Sequence, residues 1–272
     1  MKAIKKGQIV ALALSCALVC GALSAPLTAS AEDAEDRYVG GELVSTYAIE
    51  TVSYTSREVV ENIQTPAGIP KYFNTNTNLT NCCGAVAGAI AVGYYDRYYP
   101  NMIADWESFI PNFMYTLQDY TYVPQTISSL YSLMKTNVVA EGVSQDEFKS
   151  GLTQYIKKQG YISDYTSLGK GTGFNYTAYK NAINNNKVSV LFISPSEIYT
   201  VSLQNGKDLI SSMSINGKHI MIAYGYYEVK YTIGKTVRTD KYLQVATGYG
   251  TVETGYYKVS SKLDAAYIIE VA

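Results

Sequence analysis

One histidine and two adjacent cysteines are the residues best equipped for chemistry in this chain. His219 is the sole imidazole in 272 residues, and Cys82 and Cys83 are the thiols left once an N-terminal segment carrying Cys16 and Cys20 is set aside. A His-based mechanism therefore has one candidate base, and a thiol mechanism has two neighbouring nucleophiles. His219 follows Cys83 by about 136 residues. Each residue alone has a plainer reading: a Cys before an apolar helix is commonly a small core residue, and a His at a strand end commonly a surface one. A thiol becomes nucleophilic where its pKa falls, and a helix N-terminus and a nearby imidazolium both lower it. Cys83 opens a predicted helix and His219 opens a predicted strand, so the pair fits a thiol–imidazole mechanism better than either residue fits its plainer reading.

The surroundings of these residues narrow the chemistry further. Lys2, Lys5 and Lys6 precede an apolar run from Gln8 to Leu23, and Ala29-Ser30-Ala31 forms a small-x-small cleavage signature before Glu32; residues 1–31 read as a secretory signal peptide. Val19 and Leu18 argue against a lipid-modified Cys20, and the apolar run is shorter than the ~20 residues a span needs. The expectation is a secreted or extracellular cell-surface protein with no membrane span in its mature form. Exported proteins normally use cysteines in disulfides, but sequence-adjacent Cα atoms lie closer than ordinary disulfide geometry accepts. Free thiols are expected. Two adjacent thiols and one distant His do not match structural zinc spacing, and no cofactor is expected. The mature chain is weakly acidic with no Lys/Arg cluster, which excludes nucleic acid as an implied partner. Abundant tyrosine, 27 residues against one tryptophan, fits half-buried strand positions, with an aromatic-lined groove as the alternative.

The elements that must position the pair fall into two halves. Residues 32–65 form a leader or edge segment, with alternation at Tyr47–Val52; Pro66 and Pro70 frame an extended approach, and Asn74 to Asn81 reads as a loop. Cys83 to Tyr95 is apolar on every side, so a helix here must be buried all round, and its three glycines leave it dependent on packing. Residues 104–165 read as mainly helical: Val123 to Thr136 has 3.6 periodicity, and Ser144-Gln145-Asp146-Glu147 has the form of a helix start. Asn175 to Asn185 is one further short helix. From Lys187 strands dominate: 188–193, 219–227, 242–246, 256–259 and 266–271. The expected class is α+β.

Three stretches resemble the papain-like cysteine peptidases, in particular secreted bacterial members of the bacteriocin-leader-processing (C39-like) type. Asn81-Cys82-Cys83-Gly84-Ala85-Val86-Ala87 resembles that family's Cys-Gly-Pro-Thr-Ala motif, with Ala85 for Pro and Val86 for Thr. Gly217-Lys218-His219 followed by aliphatics and Gly225-Tyr226 is similar to its His strand. Thr247-Gly248-Tyr249-Gly250 with Gly255-Tyr256-Tyr257 is similar to its Asn-Ser-Trp-Gly…Gly-Tyr region. The Cys-to-His spacing also falls in the papain range. The resemblance implies a two-lobe fold over 66–272, a helical lobe at about 80–185 and an antiparallel β lobe at about 186–272. It implies Cys83 as nucleophile, His219 as general base and acid, Thr247 in the place of the orienting Asn, with Gln244 as a nearby substitute, and Asn78 in the place of the oxyanion Gln.

Three functions compete. The first is a monomeric extracellular cysteine peptidase acting on a peptide or protein substrate through an acyl-thioester. The second is a related acyl-transfer enzyme, a cell-wall amidase or transglutaminase. The third is a catalytically impaired binding module, which the changes at Thr247 and Asn78 support.

Overall fold

The computed structural model describes residues 36–65, 68–74, 77–104 and 119–272. The signal segment, Pro66 and residues 105–118 of the expected helical stretch lie outside them. Among the described residues one antiparallel sheet of ten strands carries four α-helices. The strands are β1 (Leu43–Val52), β2 (Ser56–Gln64), β3 (Ser163–Gly169), β4 (Val188–Ile193), β5 (Ser196–Gln204), β6 (Lys207–Ile215), β7 (His219–Ile233), β8 (Thr236–Ala246), β9 (Thr254–Tyr257) and β10 (Leu263–Val271). Their order is β1-β6-β5-β9-β8-β7-β4-β10-β3, with β2 also paired to β7. The helices are α1 (Cys83–Asp96), α2 (Tyr122–Leu133), α3 (Gln145–Lys158) and α4 (Tyr176–Asn184).

This arrangement corrects the expected two-lobe fold. Among the described residues no helical lobe stands apart from a β lobe; the helices pack on an open sheet. The reason lies in pairings that are distant in sequence. Residues 43–64, expected to be a leader or edge, supply β1 and β2, which pair with β6 and β7. Strand β3, within the expected helical lobe of about 80–185, pairs with β10. The apolar runs of β4 and β7 are continuous because both faces of the sheet are covered. Val188, Val190, Phe192, Ile220 and Ile222 face a core shared with α1, α2 and α3. Leu191, Ile193, Met221 and Ala223 face a second core that includes Tyr179 and Ile183 of α4.

Helix α1 is buried along its whole length, as its all-apolar sequence requires. Its glycines are points of close approach: a Cβ on Gly84 would stand 2.7 Å from Val143, and one on Gly93 would stand 2.5 Å from the ring of Tyr72. Alanine at 93 gains helix propensity but collides with a ring that is 1% exposed. Gly93→Ala is expected to destabilise the protein by about 2 kcal/mol, read as a lower denaturant midpoint; an unchanged midpoint would show that Tyr72 moves freely. Helix α3 is held at its start by reciprocal bonds between Ser144 and Glu147, with Asp146 and Glu147 in the first turn and Lys157 and Lys158 in the last, all complementary to the helix dipole.

Candidate functional site

Helix α1 and strand β7 bring Cys83 and His219 to one place. Cys83 is the first residue of α1 and His219 the first of β7, and the helix packs on that strand. Both line a cavity of about 260 Å³, together with Cys82, Asn74, Gly40 and Tyr249. Cys83 is 6% exposed and His219 3% exposed.

The tautomer of His219 follows from its partners. Nε2 lies 2.7 Å from the carbonyl oxygen of Thr247. A carbonyl only accepts, so Nε2 carries the proton and Nδ1 presents a lone pair. Nδ1 is 3.4 Å from the hydroxyl of Tyr249, whose ring stacks on the imidazole at 4.6 Å and 16°. The phenol has one proton, and it is donated to the carbonyl of Gly41. The sulfur of Cys83 donates to the carbonyl of Tyr38 at 3.7 Å. The thiol proton is thus engaged with another group while the Nδ1 lone pair receives no proton, and the two side chains do not bond each other in this state.

Burial dominates the electrostatics. It pushes the Cys83 thiol up to about 12, with the Cys82 thiol adding to the rise and the backbone N–H groups of Ile220, Gly84 and Cys83 acting against it. Burial lowers His219 to about 4, opposed by its bond to Thr247. At neutral pH the resting site therefore holds a thiol and a neutral imidazole, not an ion pair. Burial raises Cys82 as well. Cys82 occupies the N-cap of α1, its carbonyl accepting from Val86 N–H at 2.9 Å, and it lines the same cavity.

The other expected site residues lie differently. Thr247 reaches His219 through its backbone carbonyl, not its side chain: the hydroxyl donates to the Val252 carbonyl and accepts from Tyr249 N–H at 3.1 Å. Its side chain builds the turn that delivers Tyr249. Gln244 donates to Asn62 at 2.8 Å and to the Tyr226 carbonyl at 3.3 Å, so it is not the imidazole's partner. Asn78 is exposed and lines a separate groove with Pro124 and Ser128. Asn74 and Asn81 are the amides that line the Cys83 cavity; Asn81 Nδ2 donates to Asn137 at 3.0 Å, and Asn74 Nδ2 donates to the Leu79 carbonyl at 3.2 Å while its Oδ1 accepts from Thr77. With one of its two N–H bonds directed at Leu79, the Asn74 amide has a second for a ligand.

Because the carbonyl does the orienting, Thr247→Asn is expected to leave the His219 tautomer in place and to lower stability by about 1 kcal/mol through loss of the turn's hydroxyl bonds. The ¹⁵N chemical shifts of the one imidazole and the denaturant midpoint report the two effects; a switch of the proton to Nδ1 would assign the orienting role to the side chain.

Tyr249, Asn74 and the Tyr38–Gly41 segment escape a sequence reading that looks for a third polar side chain. Tyr249 was visible within the Thr247–Gly250 motif, and Asn74 was an amide at the start of the Asn/Thr-rich loop. A backbone carbonyl partner carries no sequence signal. No family model, curated protein or solved structure matches this chain.

Proposed function

We propose that the chain is a thiol-dependent acyl-transfer enzyme, with peptide-bond hydrolysis as its reaction and a peptide or protein as its substrate. The observation that carries this reading is the shared cavity of Cys83 and His219, in which the Thr247 carbonyl fixes the proton on Nε2 and leaves Nδ1 free to accept. In the reaction the thiol proton passes to Nδ1 as sulfur bonds to the substrate carbonyl carbon. The tetrahedral intermediate collapses, the C–N bond breaks, and the Nδ1 proton goes to the departing amine. Water, deprotonated by the same nitrogen, then hydrolyses the thioester and restores the thiol. The Asn74 amide and the backbone N–H groups at the start of α1 are the donors available for the oxyanion. An amine acceptor in place of water would make the same thioester an intermediate of amide transfer.

The N-terminal charge and hydrophobic pattern of residues 1–31 supports export, and the protein is read as a secreted monomer. Among the described residues no helix is long and apolar enough to cross a membrane. A second reading, a binding module without turnover, draws on the burial that keeps both groups neutral. Incubation with a mixed peptide library, with new N-termini mapped by mass spectrometry, separates the two. Cleavage by the parent and none by Cys83→Ala supports the enzyme; no cleavage and no acyl-enzyme mass under any condition favours the binding module.

A further inference from the structure

Val39 and Gly40 line the Cys83–His219 cavity, and their neighbours Arg37, Tyr38 and Gly41, with Gly40 itself, are tied to the elements on either side of it. On the helical side the Arg37 guanidinium, 4% exposed, pairs with Glu147 at 2.8 Å. It also donates to the carbonyls of Gly142 at 2.8 Å and Glu141 at 3.1 Å. Tyr38 exchanges backbone bonds with Val143 at 2.9 and 3.1 Å and its buried ring meets Phe192 edge-on at 5.1 Å. On the strand side Gly40 N–H donates to the Lys218 carbonyl at 3.0 Å.

The fit over the site requires glycine. A Cβ on Gly40 would stand 3.2 Å from the Cβ of Cys83 and 3.6 Å from its sulfur, and the backbone there has φ +74. A Cβ on Gly41 would stand 2.2 Å from the backbone nitrogen of Gly217, which no side chain survives. The segment also claims the reacting groups: the Tyr38 carbonyl takes the Cys83 thiol proton, and the Gly41 carbonyl takes the Tyr249 hydroxyl that stacks over His219. Apart from the single bridge to Val143 it has no strand pairing, so it can lift without dismantling the sheet.

We infer that residues 37–41 are a built-in strap that closes the Cys83–His219 cavity in the resting chain, and that the thiol becomes reactive only when the strap lifts. The strap's effect on turnover rests on the proposed Cys83–His219 chemistry, but closure itself is read on the thiol alone. Lifting removes the carbonyl that holds the thiol proton, admits water to both groups and lets Cys83 turn to Nδ1.

The test uses the full chain with Cys16, Cys20 and Cys82 each replaced by Ser, so that alkylation reports Cys83 alone. Iodoacetamide labelling followed by mass spectrometry is expected to be slow and to reach a plateau rate at high reagent, set by strap opening. Arg37→Ala, which frees the anchor, and Gly40→Ala, which wedges the strap off Cys83, are each expected to speed labelling about tenfold or more with the circular dichroism spectrum unchanged. Should either variant fail to fold, hydrogen exchange in the parent decides: the Gly40 amide is expected to exchange as fast as Cys83 labels and well before the Ile222 amide. Labelling of the parent at the rate of a free thiol, unchanged labelling in folded variants, or exchange of Gly40 only with global unfolding would each overturn the strap. Faster labelling with no hydrolysis in any variant would keep the strap and remove the enzyme; hydrolysis with unchanged labelling would do the reverse.

Discussion

Replacement of His219 by alanine is expected to lower kcat/KM for peptide hydrolysis by about a thousandfold, or about 4 kcal/mol of transition-state stabilisation. The size follows from the site's composition. The other residues lining the cavity with Cys83 are Val39, Gly40, Phe73, Asn74, Asn81, Cys82, Val86, Gly248, Tyr249 and Gly250. None of them is a base near neutral pH: burial pushes the Cys82 thiol and the Tyr249 phenol up. With the chain's one imidazole gone, nothing in the cavity replaces Nδ1 as the acceptor of the thiol proton.

Three readouts separate a catalytic loss from a folding defect. The double variant with Cys83→Ala is expected to be no slower than Cys83→Ala alone, because the two residues act on one proton and their effects do not add. Added imidazole is expected to restore part of the rate to His219→Ala and none to Cys83→Ala. KM is expected to change little, since the imidazole's contribution arises in the transition state. Retention of more than a tenth of the parent rate by a folded His219→Ala protein would remove His219 from the mechanism.

The legible part of this molecule was local. Ser144 and Glu147 announced a helix start, and the reciprocal cap is present. The apolar runs at Val188 and His219 became central strands, and the glycine-bearing apolar stretch after Cys83 became a helix buried all round. What stayed hidden was non-local. Nothing in Leu43–Val52 names Lys207–Ile215 as its partner, nor does Ser163–Gly169 announce that it lies beside the C-terminal strand. Read serially, helices followed by strands imply two lobes; the pairings that interleave them make one sheet. Strands β5 and β6 carry the polar alternation of half-exposed strands, a weaker signal than a continuous apolar run. At the site, residue types identified the thiol and the imidazole. The groups that tune them are the carbonyls of Thr247, Tyr38 and Gly41, and a carbonyl is the same atom pair in every residue.

Burial of the imidazole also sets an acid limit on stability. His219 is expected to remain neutral down to about pH 4 in the folded protein, against an ordinary value of 6.5. Between these two values the unfolded chain binds a proton that the folded chain refuses. Stability therefore rises with pH across that window, and falls as pH drops from 6.5 toward 4. Below pH 4 both states are protonated and the loss is complete; above 6.5 neither is, and the contribution is flat. The full effect is about 3 kcal/mol for a shift of this size, a large part of a domain's net stability. Because carboxylates also titrate in this range, the comparison is with His219→Gln, which cannot gain the proton. Between pH 7 and pH 4 the parent is expected to lose about 3 kcal/mol more than this variant in denaturant unfolding. The sole imidazole gives a direct reading as well, its ring proton resonances holding constant from pH 8 to about 5. Resonances that titrate near 6.5 in the folded protein, with equal acid losses in parent and variant, would show that water reaches the ring and that the cavity stands open at rest.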